Sequence, residues 1–169
     1  MVKIPLDHIC LKTGLLCPRC QVLVESGEVR KDEIPIMKVL LELEENDSFR
    51  GLRDAKYVRS LRLKDLTIVV LKAKNLAPPE LNKIARRLGE ALGTRVQVVE
   101  HTRDIKRMMA ELVSPASITG VNMVWLPDGT TQYVVRISRH EEKLLPAGRE
   151  VLEEALSVLL NAQIRIKIE

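Results

Sequence analysis

Apolar residues recur with a period near 3.6 at four places along the chain, and each place predicts an amphipathic helix. The first sets Ile36, Val39, Leu40 and Leu43 on one face and Lys38, Glu42 and Glu45 opposite, with Asp32 as the cap and Pro35 in the first turn. The second sets Leu81, Ile84, Ala85, Leu88 and Leu92 inward and Lys83, Arg86, Arg87 and Glu90 outward, between Pro78-Pro79 and Gly93. The third carries Ile105, Met108, Met109 and Leu112 and ends at Pro115. The fourth carries Leu152, Ala155, Leu156 and Leu159 and ends at Asn161, which tolerates the left-handed conformation of a helix C-cap. Alternation and short apolar runs predict strands between them. Residues 57–63 and 66–71 pair around Lys64-Asp65, and residues 118–126 and 132–137 pair around the turn Pro127-Asp128-Gly129-Thr130. Residues 95–100 and 163–168 close the two halves as single strands.

These elements repeat, and their mixture makes the fold α+β. Both halves read helix, strand, strand, helix, strand. A shift of 68 residues lays Met37, Leu40 and Leu41 on Ile105, Met108 and Met109, Ile84 on Leu152, and Leu88 on Leu156. The same shift lays Pro78 on Pro146 and Gly93 on Asn161, so breakers match as well as apolar positions. The register slips only at the hairpins. The chain therefore divides into an N-terminal segment, 1–33, and two units, 34–101 and 102–169.

Charge is uneven across these segments. The whole chain carries a formal net charge of +4, but residues 51–100 hold 11 basic and 5 acidic side chains. That excess is an electrostatic footprint suited to phosphate. Aromatics are scarce: Phe49, Tyr57, Trp125 and Tyr133 are all there are. Folds that bind RNA by stacking bases on a sheet need more rings than this. The longest uncharged run, 112–127, is too short and too polar for a bilayer, and Lys3, Pro5 and Asp7 interrupt any leader. With three cysteines rather than a disulfide framework, the expectation is a cytoplasmic protein.

The junction Val98-Val99-Glu100, a helix, and then Leu112-Val113-Ser114-Pro115-Ala116 resembles the junction between the paired type II KH domains of the NusA transcription factors. With the LCPRC start and the VWLPDGTT hairpin, the chain is similar to archaeal NusA-like KH proteins. The resemblance implies two tandem type II KH-like units of order helix-strand-strand-helix-helix-strand. It also implies a non-catalytic role with single-stranded RNA, in transcription elongation or termination or in RNA handling. KH domains grip RNA through a GxxG loop. The matching loops here are Leu76-Ala77-Pro78-Pro79-Glu80, with no glycine, and Leu145-Pro146-Ala147-Gly148-Arg149, with one. RNA contact then falls to charge: Lys72, Lys74, Lys83, Arg86 and Arg87 in the first unit, Lys143 and Arg149 in the second. Loss of both loops motivates an alternative, a protein-interaction module on RNA polymerase or another assembly.

Cys17-Pro18-Arg19-Cys20 is a CxxC turn, with Cys10 and His8 upstream. If residues 8–10 are extended, His8 and Cys10 point to one side and complete four ligands of the kind zinc prefers. A 33-residue segment has little core of its own, and a metal would fold it as a knuckle. Buried free thiols and a local disulfide are the alternatives. A thioredoxin-like redox role needs a helix directly after the CxxC, and residues 21–27 do not read as one. No P-loop, GxGxxG or HExxH occurs, and the expectation is a protein without catalytic activity.

Overall fold

The computed structural model describes residues 2–64, 66–74 and 76–169. The chain divides into two compact units: Met1–Arg62 with Thr67–His101, and Leu63–Leu66 with Thr102–Glu169. The fold is α+β, with one three-stranded sheet in each unit. No helix among the described residues is long and apolar enough to cross a membrane.

The first unit begins with two short helices, α1 (His8–Thr13) and α2 (Pro18–Glu25), followed by a 3-10 turn over Lys31–Glu33 and then α3 (Ile34–Glu44). A 3-10 segment, Asp47–Asp54, leads into β1 (Lys56–Arg62), β2 (Thr67–Lys72), α4 (Pro78–Leu92) and β3 (Val96–Glu100). β1 pairs antiparallel with β2, and β3 lies parallel on its other side. Parallel neighbours need a long crossover, which α4 supplies. Its stripe Leu81, Ile84 and Leu88 is buried in one core with Val69, Leu71 and Val98 of the sheet and Ile36, Met37, Leu40 and Leu41 of α3. Asp65, in the expected first turn, lies outside the described residues.

The second unit repeats the plan with α5 (Ile105–Val113), β4 (Ile118–Trp125), β5 (Thr131–Ile137), α6 (Arg149–Leu160) and β6 (Gln163–Ile168). β4–β5 is antiparallel and β5–β6 parallel. Asp104 caps α5 by accepting from Lys106 N–H and Arg107 N–H. The Ser114–Pro115 peptide after α5 is cis. Gly93 and Asn161, matched by the repeat, both take the left-handed conformation, at φ 69° and 50°, and both return a backbone N–H to the preceding helix. The second hairpin turn is pinned by Asp128, which accepts from Thr130 N–H at 3.0 Å and from its hydroxyl at 2.6 Å.

Two expectations change. Between the second and third strands, the described residues of the first unit hold one helix, not two. In the second unit a 3-10 turn, Arg139–Leu144, precedes α6. The N-terminal segment is also not a separate knuckle. Val2, Leu6, Cys10, Leu11, Cys20 and Val29 belong to the same core as α3 and α4. Two helices of 6 and 8 residues are too short to be stable alone, so they bury their apolar side on the larger unit. Lys3 also extends the sheet, donating its N–H to Ala55 O at 2.9 Å and accepting from Tyr57 N–H at 2.8 Å.

A buried polar network fastens the end of this segment to β1. Glu33, only 6% exposed, accepts from the Tyr57 hydroxyl at 2.8 Å, from Ser60 N–H at 3.3 Å and from Arg30 N–H at 2.8 Å. The Tyr57 hydroxyl also lies 2.7 Å from Ser60 Oγ, and burial raises its pKa far above the usual tyrosine value. Tyr57→Phe removes a donor from a buried carboxylate and should destabilise the protein by roughly 1–3 kcal/mol. Urea unfolding should show a lower midpoint at unchanged slope, and an unchanged midpoint would contradict the assigned network.

Candidate functional site

The cysteines converge, but their fourth partner is an aspartate. One ligand atom from each of Asp7, Cys10, Cys17 and Cys20 lies within 4.8 Å of the other three. The reason lies in two helix starts. Asp7 is the N-cap of α1 and Cys10 stands three residues on; Cys17 is the N-cap of α2 and Cys20 again stands three residues on. N-cap and N3 side chains meet over the first turn, as in a capping box. Here the box is exchanged between helices. Asp7 N–H donates to Cys20 Sγ and Cys17 N–H donates to Cys10 Sγ, both at 3.3 Å. The Cys17 thiol donates to Asp7 Oδ2 at 3.3 Å, and Arg19 pairs with Asp7 Oδ1.

His8 does not join this group, and the expectation that it supplies the fourth ligand is corrected. Residues 8–10 are helical rather than extended. At 100° per residue, positions 8 and 10 point to opposite sides of α1, while 7 and 10 share one. The helix after the CxxC is also present, since α2 runs Pro18–Glu25 with Pro18 in its first turn. Its periodicity is hidden because Cys20 is its one buried residue and Val22 lies 62% exposed. The Asp-x-x-Cys spacing at 7–10 echoes the Cys-x-x-Cys at 17–20 and was the available signal for Asp7.

The electrostatics divide the thiols. The Cys17 backbone N–H lowers the pKa of Cys10, and Arg19 holds the Asp7 carboxyl below the usual carboxylate range. Burial pushes Cys20 up to about 11. All three cysteines are free thiols. The donor set fits a metal ion. The four ligand atoms, all within 4.8 Å of one another, are close enough to share one ion. The two N–H···S bonds supply the outer hydrogen bonds that thiolate ligands require.

The seven basic candidates fall in separate places. Lys83, Arg86 and Arg87 form one exposed stripe on α4 and, with Glu90 and Phe49, line a shallow depression of about 230 Å³. Arg87 pairs with Glu90 at 4.0 Å, whereas Lys83 and Arg86 have no ion pair among the described residues. Phe49, placed by the 3-10 segment before β1, is a lining residue the periodicity did not single out. Lys72 and Lys74 are exposed at and just beyond the end of β2 and do not line this depression. Lys143 joins Arg139, His140 and Glu142 around another open depression, and Arg149 starts α6 outside it.

No protein-family model matches the chain, and no curated protein matches it. Among solved structures it is similar to one described as "Crystal structure of APE1850", with a TM-score of 0.52 and 20% identity. The match covers 76% of this chain and 99% of that one. At that identity the likeness concerns the fold alone.

In the metal-free chain near pH 8, iodoacetamide should modify Cys20 last. Cys17 is half-buried and Cys10 has a lowered pKa, whereas Cys20 is buried and its raised pKa keeps it protonated. Peptide mass spectrometry reads the order, and faster modification of Cys20 would contradict this arrangement.

Proposed function

We propose that this chain is a non-catalytic RNA-binding protein of the NusA-like tandem KH type, acting in transcription or RNA handling, with zinc as the structural metal of its first unit. The observation that carries the RNA reading is the stripe Lys83, Arg86 and Arg87 beside Phe49. It sets phosphate-seeking charge on the exposed face of α4, while the Phe49 ring beside it is buried in the core and adds apolar lining only. The repeated sheet plan, antiparallel then parallel in both units, supports the KH reading. The glycine-free start of α4, Ala77-Pro78-Pro79, offers few backbone donors, so side-chain charge carries the contact.

RNA binding to the full chain should then be salt-sensitive, with log K falling by about 0.7 per phosphate contact per decade of salt. Arg86→Glu with Arg87→Glu should weaken binding at least tenfold at low salt. No binding at low salt would sink the RNA reading. The second reading, a docking module on RNA polymerase or another assembly, is favoured by the hairpin end, where Met123 is 52% and Trp125 70% exposed. Capture of polymerase subunits that survives nuclease treatment supports that reading; capture that depends wholly on RNA counts against it.

Asp7, Cys10, Cys17 and Cys20 would hold zinc, which when bound supplies a rigid tetrahedral crosslink between α1 and α2. Three thiolates and a carboxylate carry more charge than Zn²⁺ cancels, and Arg19 offsets part of the excess. The purified protein should hold about one zinc per chain. Asp7→Ala should weaken zinc binding at least about tenfold in chelator competition, since even outer-shell losses cost 10–100-fold. His8→Ala should leave it unchanged; the opposite ranking would restore His8 as the ligand.

A further inference from the structure

The sheet of the second unit has a bare face. Val135, Ile137, Ile164 and Ile166 are buried on the side where α6 packs. The alternate residues point the other way, and Asn122, Val124, Gln163, Arg165 and Lys167 among them are exposed. Strand register sets them in cross-strand rows. One row is Gly120, Arg136 and Lys167; the next is Asn122, Val134 and Arg165. A third, Val124, Gln132 and Gln163, completes the face, with Val124 40% exposed.

Three cations stand together on this face. Arg136 and Lys167 are directly opposed across β5 and β6, an arrangement that destabilises a sheet when no anion lies between. Arg165 stands one two-residue step, about 6.6 Å, from Lys167 on the same strand. Lys167 has Glu169 at 3.8 Å, but Arg136 and Arg165 have no carboxylate partner among the described residues. Arg136 lies across β4 over Gly120, where an added Cβ would meet its Cζ at 3.1 Å and its Nε at 3.2 Å. Glycine is what lets the guanidinium lie flat there. Arg136 Nε is buried and makes no hydrogen bond.

We propose that this bare face is a second RNA-contacting surface, on which Arg136, Arg165 and Lys167 take the phosphates of a single strand. The proposal rests on the RNA-binding reading above and adds a site remote in sequence from α4. Charge complementarity calls for a polyanion. The three-stranded face, about 10 Å wide, suits an extended strand. Asn122, Gln132 and Gln163 present both donors and acceptors to base edges, and Val124 and Val134 present apolar surface to base faces. The net charge of residues 101–169 is zero, so this cluster is invisible in the charge balance and emerges only when the register is known.

The test uses the full chain and a labelled oligouridylate, with affinity measured against salt. Arg165→Glu with Lys167→Glu should weaken binding at least tenfold and reduce the salt slope by about 1.4, two single-strand contacts. Lys31→Glu with Lys38→Glu, which makes the same change in net charge elsewhere, should have less than a threefold effect. Arg165→Gln with Lys167→Gln, checked for native circular dichroism, provides a milder variant if the reversal unfolds the sheet. If Arg86→Glu with Arg87→Glu weakens binding while both sheet variants leave it unchanged, this surface is overturned and the α4 reading stands. If the sheet variants weaken binding and the α4 pair does not, the α4 site fails and this one stands. A wild-type chain that binds no RNA at low salt overturns both, and preferential binding of polyglutamate at this face overturns it in favour of an acidic protein partner.

Discussion

Each unit depends on the pairing of its last strand parallel to its middle strand. β3 cannot reach β2, nor β6 reach β5, without a chain segment that crosses back over the sheet. That segment is α4 in the first unit and includes α6 in the second, and each buries its apolar stripe as it crosses. Ile84 and Leu88 in one, and Leu152 and Leu156 in the other, are fully buried at positions 68 residues apart. The left-handed cap at Gly93 or Asn161 then turns the chain sharply enough for the closing strand to begin within three residues. Strand pairing, helix burial and cap are therefore one linked device, used twice.

The N-terminal segment solves a different problem. α1 and α2 are too short to hold together by burial alone, and they meet through the exchanged N–H···S bonds of the cysteine cluster. Their apolar sides are absorbed into the core of α3 and α4, and Glu33 with Tyr57 fastens the far end to β1. A metal on the cluster would act at the contact of the two helix starts. This also gives Arg19 a role, since its pair with Asp7 keeps that carboxylate charged and aimed at the thiols.

Both basic surfaces stand on regular elements rather than loops. The α4 stripe follows from helical spacing, with Arg86, Arg87 and Glu90 three, four and seven positions after Lys83. The sheet cluster follows from strand register, which brings Arg136 beside Lys167 although 31 positions separate them. In the RNA reading proposed above, rigid placement of charge leaves little order to be imposed on the protein side when a flexible polyanion binds.

Local pattern alone determined most elements. The periodicity at Leu81, Ile84 and Leu88, the alternation at Ile164, Ile166 and Ile168, and the breakers at Pro78, Gly93 and Asn161 are short-range signals, and the structure keeps them. The CxxC and Cys10 also mark one chemical cluster by their spacing alone. Tertiary structure decided three things. It chose Asp7 over His8, because a helix beginning at residue 8 turns the histidine away. It merged the first 33 residues into a core, because two short helices lack enough apolar area to stand apart. It assembled Arg136, Arg165 and Lys167 on one bare face, because cross-strand neighbours are fixed by hydrogen-bond register between distant segments.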